Sequence, residues 1–105
     1  GYSTDTGTHN TVVGRYAAYS MTSGHNNVII GENACSDTND EELTTAGDCV
    51  AIGHDVNVGS ATADYQIVIG AGATGKGANT GFISANGSSG SIYQGNDNRV
   101  LGHDF

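Results

Sequence analysis

Two of the four histidines in this 105-residue chain stand in the same local phrase, His54-Asp55 and His103-Asp104, each directly after a glycine. If three copies met around an axis, one such histidine would become three, a set able to hold a divalent ion. The phrase equally describes a solvated turn whose aspartate accepts backbone hydrogen bonds; that reading is adopted, and no metal ligand is assigned. Asp37, Asn39, Asp40, Glu41 and Glu42 are oxygen donors of calcium type, yet they lack the D-x-[DN]-x-[DN]-G-x5-E arrangement of a calcium loop. GATGKGA (Gly72 to Ala78) has the glycines and the lysine of a phosphate-cradling loop, but Gly77 follows Lys76 where Ser or Thr is needed, and no helical period comes after it. No Ser/His/Asp or paired-carboxylate set has a productive spacing, so neither a catalytic residue nor a cofactor is expected. Tyr16, Tyr19, Tyr65 and Tyr93 have the type that stacks on sugars or covers the edge of a core, and both uses stay open.

The only two cysteines, Cys35 and Cys49, bracket Ser36 to Asp48. A disulfide between them would close a long loop, stabilise the fold by roughly 3 kcal/mol and imply an oxidising, extracellular setting. Two small buried thiols are the other reading.

What must position these residues is a repeat. HNTVVG closes at Gly14, NNVIIG at Gly31, DCVAIG at Gly53, YQIVIG at Gly70 and, more loosely, NRVLG at Gly102, with steps of 17, 22 and 17 residues between the first four glycines. A further step of 17 reaches Gly87, behind the degraded copy Ile83-Ser-Ala-Asn86. Self-similarity near a period of 20 marks a solenoid-like stack. The extra residues of the 22-residue step are the Ser36 to Asp48 insertion. One and three places before the glycines stand Val13, Val28, Ile30, Val50, Ile52, Ile67 and Ile69, and between them Val12, Ile29, Ala51 and Val68. A strand sends alternate side chains to opposite faces, so both faces are apolar, as in strands covered on both sides. The one-and-three set is expected to fill each coil. Val12, Ile29, Ala51 and Val68 are expected to line a subunit contact, since another copy of the chain is the simplest cover for a second apolar face.

Gly14, Gly31, Gly53, Gly70 and Gly102 are read as corners between two short strands, the second carrying Ala17, Ala34, Val56, Ala73 or Phe105 three places on. Residues 1–70 are expected to form the regular coil, and 71–105 an irregular glycine-rich segment of the same domain. One rung buries too little apolar surface to offset its ordering entropy, so stacking and association are both needed.

Composition narrows the partners. Seventeen glycines, no proline and 13% charged residues are unlike an ordinary globule, while the evenly spaced Val/Ile triplets are unlike disorder. A net charge of −8, with only three Lys and Arg, is a poor match for phosphate backbones, so neither nucleic acid nor an anionic membrane surface is expected. No apolar run approaches the ~20 residues of a bilayer span, and no membrane insertion is expected.

His9 to Gly31, HNTVVGRYAAYSMTSGHNNVIIG, resembles the repeat of bacteriophage tail fibres and related surface fibres. Asp48-Cys-Val-Ala-Ile-Gly53 is similar to the N-S-V-A-I-G phrase of trimeric autotransporter adhesin heads, which are parallel β-rolls. The likeness runs from Gly7 to about Gly87; the acidic insertion, the cysteines and the segment after Gly70 depart from it. It implies an all-β parallel β-roll or β-solenoid with rungs of about 17 residues, assembled as an intertwined or side-by-side homotrimer. The implied role is a structural and host-receptor-binding segment of an extracellular fibre, a virion component of a phage tail. Its partners would be itself, other fibre or tail proteins and a host-surface receptor, with glycans among the candidates, met by the Asp37 to Glu42 loop. The head of a bacterial trimeric adhesin is the alternative. A stand-alone ice- or carbohydrate-binding solenoid is a third, though no flat Thr or aromatic array supports it. The chain starts in mid-pattern, as a segment of a longer repetitive protein would. In the fibre family such repeats often precede an intramolecular chaperone that removes itself after trimerisation. Its usual opening, S-D-x-R-x-K, does not occur here, yet Tyr93 to Asn98 resembles the stretch that lies upstream of it. Phe105 is accordingly expected at or near a mature C-terminus.

Overall fold

A computed structural model of the chain describes residues 6–36 and 44–87. It is all-β over these residues, with five short parallel strands in one sheet and no helix. The strands are β1 (Thr11–Val13), β2 (Val28–Ile30), β3 (Val50–Ile52), β4 (Gln66–Ile69) and β5 (Thr80–Ile83). They pair in sequence order, each with the next, which is the topology of a solenoid.

The register obeys the repeat. Val12 lies beside Ile29, Ile29 beside Ala51, and Ala51 beside Val68, so each Val/Ile triplet stacks on its equivalent one rung away. The fifth strand departs from the expected count. Val68 pairs with Phe82 and Ile69 with Ile83, which puts Ser84, not Gly87, in the closing place. The last step is thus 14 residues rather than 17. The regular coil continues past Gly70, because the loop before β5 shortens instead of the strand being lost. Gly102, the remaining expected corner, lies outside the described residues.

The corner glycines explain why the stack is so close. Gly14, Gly31, Gly53 and Gly70 have φ of 134–143°, a region that only glycine occupies readily. At each, a Cβ would run into the carbonyl of the next corner: at Gly53 it would sit 2.6 Å from the Gly70 oxygen. The amides of Gly31, Gly53, Gly70 and Ser84 each donate to a carbonyl one rung back, at 2.8–2.9 Å. Beyond each corner the chain makes a turn rather than a second strand. The amides of Ala17, Ala34 and Ala73 donate to the carbonyls of Gly14, Gly31 and Gly70 at 3.2–3.3 Å, and an isolated bridge pairs Asn57 with Thr74.

The side-chain directions reverse the expectation. Ile29, Ala51 and Val68 are fully buried inside the coil, with Val12 and Phe82 packed against the same cluster. Ala17, Ala34, Val56 and Ala73 face them from the turns, and Ala18, Met21, Cys35, Ala46, Cys49 and Val58 complete a thin core. Val13, Ile30 and Ile67 point outward at 56%, 36% and 47% exposure, while Val28, Val50, Ile52 and Ile69 are half-buried. The middle set is therefore the core, and the one-and-three set is the outer face.

Asn27 shows why. Strand alternation puts the residue four before the glycine on the same face as the middle residue, and Asn27 is buried there. Its Oδ1 accepts from the Cys49 amide and its Nδ2 donates to the Ala46 carbonyl, both at 2.9 Å. Asn10 does the same one rung earlier: its Oδ1 accepts from the Asn27 amide at 2.9 Å, and its Nδ2 donates to the Gly24 carbonyl at 2.8 Å. Side-chain amides satisfied in this way tie β1 and β2 each to the loop of the next rung.

Gly53→Ala should cost at least the ~1–3 kcal/mol of an unfavourable backbone conformation, and more as the rungs separate. Gly81→Ala, where no atom lies within 4 Å of the new methyl group, should be nearly neutral. Thermal unfolding followed by circular dichroism would distinguish them, and equal melting temperatures would contradict the stacking account.

Candidate functional site

The outward face of the sheet is the candidate site. Two columns run up it: Thr11, Val28, Val50, Ile67 and Gly81 in one, and Val13, Ile30, Ile52, Ile69 and Ile83 in the other. With parallel strands ~4.8 Å apart and residues two apart on a strand ~6.6 Å apart, the strip is roughly 19 Å long and two side chains wide. It holds no charged residue. The largest contiguous apolar patch on a monomer is often functional, and this one runs from Val13 to Ile83 because rung stacking repeats it. The chemistry available to it is apolar burial, not catalysis.

The other residues singled out from sequence fall elsewhere. Of Val12, Ile29, Ala51 and Val68, expected at a subunit contact, the last three are buried inside one chain and have no outer surface to offer, and Val12, on the first described strand β1, is half-buried against the same core. Val13, Val28, Ile30, Val50, Ile52, Ile67 and Ile69, expected in the roll core, form the outer strip instead. Asp37, Asn39, Asp40, Glu41 and Glu42 lie outside the described residues, as do Tyr93, His103 and Phe105. His54 and Asp55 are exposed neighbours, Nδ1 to Oδ2 3.4 Å, at the turn after Gly53. Among the described residues no three His, Cys, Asp or Glu side chains gather in a way that would hold a metal ion. Lys76, of the glycine-rich GATGKGA stretch, sits with its Nζ 4.7 Å from the Phe82 ring centroid, in a cation–π contact.

Cys35 and Cys49 are two free, buried thiols, not a bridge. They occupy different columns. Cys35 follows the corner, its amide donating to Val56, in the place that Ala18 fills one rung earlier. Cys49 takes the asparagine place before β3, its amide held by Asn27 and its thiol 3.3 Å from the Gly47 carbonyl. The same thiol reaches the next loop only through a long contact, 3.8 Å from the Ala63 carbonyl, whereas Gln66 one rung on bonds three backbone groups of the loop before its own strand, at Gly59, Ser60 and Ala63. This ladder of inward amides was the feature missed from sequence. Its signal was visible in Asn10, Asn27 and Gln66, the side-chain amides that precede three of the apolar triplets.

Comparison with protein-family models, with curated protein sequences and with solved structures gives no match for this chain.

Burial pushes the Cys35 thiol up from its ordinary 9.0 to about 12, with Cys49 nearby adding to the rise. Burial raises Cys49 as well, and Asp64 and Asp48 add to it. The unfolded chain loses these protons near the ordinary value while the folded chain keeps them. Stability should therefore hold below pH 9 and fall as the pH rises towards 12, and Cys35→Ala should remove much of that slope. Alkylation without reductant should leave the native mass unchanged and add two labels in denaturant; no label in denaturant would restore the disulfide.

Proposed function

We propose that this chain is a structural and host-receptor-binding segment of a homotrimeric extracellular fibre of the phage-tail-fibre kind. The observation that carries the reading is the uncharged Val/Ile strip on the outside of a complete coil. The chain has 11 carboxylates against three basic side chains, so copies of it repel wherever their acidic surfaces meet. They can approach closely only through a surface without charge, and the strip is such a surface. It is also self-matching: each rung offers the same two β-branched or small side chains, spaced by the strand separation that every copy shares.

The contact first expected from Val12, Ile29, Ala51 and Val68 moves to Val13, Ile30, Ile52, Ile67, Ile69 and Ile83, while the need for a partner stays. Threefold order follows from the likeness of the repeats to fibre and adhesin heads. In that arrangement the strips meet around the axis, and the turns and loops face outward towards other fibre proteins and the host surface. Three copies on one rigid stack gain avidity from individually weak contacts. A strip of this size is smaller than the ~800 Å² per partner of a standard interface, so association should depend on concentration.

Sedimentation equilibrium over a concentration series should reveal a species of three times the 10.6 kDa chain mass. Ile30→Asp with Ile67→Asp, both at exposed positions, should leave the circular dichroism spectrum unchanged and return the protein to monomer. A wild-type chain that stays monomeric at its highest attainable concentration would end the proposal; a dimer would keep the interface and remove the fibre.

A further inference from the structure

On the turn side of the coil, Tyr16, Tyr19, Asn33 and Ser36 line an open groove of about 240 Å³. The two tyrosine rings meet edge to face, with centroids 5.8 Å apart at 78°. Tyr16 is half exposed, and its backbone is held at φ 58°, a costly conformation for an aromatic residue. The guanidinium of Arg15 lies 4.7 Å from the Tyr16 ring centroid, reaches its hydroxyl at 3.5 Å, and pairs with Glu32 at 3.6 Å. One rung on, Asn33 occupies the register place of Tyr16, its amide nitrogen donating to the Arg15 carbonyl at 2.8 Å. The Ser36 hydroxyl donates to the Asn33 carbonyl at 3.0 Å.

We propose that this groove is a saccharide subsite that seats one neutral pyranose ring. Aromatic faces take the C–H side of a sugar. The Asn33 side chain adds both a donor and an acceptor. The volume lies just below the ~300–1,000 Å³ of pockets for drug-sized ligands, which suits a single ring. Charge selects against ionic ligands. Arg15 already covers one face of Tyr16, which disfavours a cation there, while the net charge of −8 disfavours an anionic sugar. The four lining residues all belong to one chain, so the inference goes beyond the fibre reading and does not need the trimer.

The test is a titration of the whole chain with glucose, galactose, mannose and N-acetylglucosamine, followed by amide chemical shifts and by tyrosine fluorescence, which no tryptophan obscures. The expected result is millimolar binding of at least one sugar, with shifts centred on Tyr16, Tyr19, Asn33 and Ser36. Tyr19→Ala and Tyr16→Asn should each weaken it at least tenfold; asparagine is the residue this register place carries one rung on, so the backbone conformation is retained. Tyr65→Ala, at another exposed tyrosine, should leave binding unchanged. The Ile30→Asp, Ile67→Asp protein should bind equally well, which separates this site from the subunit contact. Absence of shifts with all four sugars, insensitivity to Tyr16→Asn, or binding of choline in place of sugar would each overturn the proposal.

Discussion

The whole structure rests on how closely one rung can lie on the next. At four successive corners a glycine α-carbon faces the carbonyl of the following corner at a distance that admits no side chain. This fixes the spacing of the coil from within the backbone, before any side chain is packed. Once that spacing is set, equivalent residues of neighbouring rungs must lie in columns, and each property of the repeat becomes a property of a surface. A β-branched aliphatic residue one place before the corner is an ordinary strand residue in a single rung; repeated on five stacked strands, as Val13, Ile30, Ile52, Ile69 and Ile83, it becomes one side of an apolar strip.

Small core residues follow from the same constraint. A strand of three residues opposed by a tight turn leaves an interior only a few atoms across, and the volumes balance within each rung: Ile29 goes with Ala34 and Val68 with Ala73, whereas Ala51 goes with the larger Val56. So thin a core supplies little apolar burial, and buried amides supply much of the remaining cohesion. Asn10 and Asn27 act as rivets between a strand and the loop of the following rung. Cys49 breaks that series and gives it a thiol that is inert because it is dry.

Much of this was legible in the chain. The glycine spacing, the triplets, the parallel stacking and the all-β class all follow from residue types at fixed register, because backbone constraints leave few alternatives. The direction of the faces did not follow, for an instructive reason. Two bulky aliphatics outnumber one in each triplet, so hydrophobicity alone assigns the pair to the core. The deciding residue is the asparagine before the triplet, which shares the face of the single middle residue and finds its partners only inside. The place of the fifth strand was missed because a shortened loop preserves pairing while shifting the count, and Ser84 accepts a corner usually held by glycine. The cysteine pairing was undecidable from separation along the chain, since sequence distance does not tell which column each thiol occupies.

A surface made by repetition also poses a problem of vernier alignment. Two such strips displaced along their length by one strand spacing would match almost as well as two in step, because Val28, Val50 and Ile67 are near-equivalent neighbours in their column. The ends of that column break the degeneracy. Among the described residues Thr11 closes it on β1 and Gly81 on β5, so in the proposed trimer a slipped copy would place an isoleucine or valine over a hydroxyl or over bare backbone. In the proposed trimer, the least apolar positions of the strip would be the ones that tell one copy where another begins.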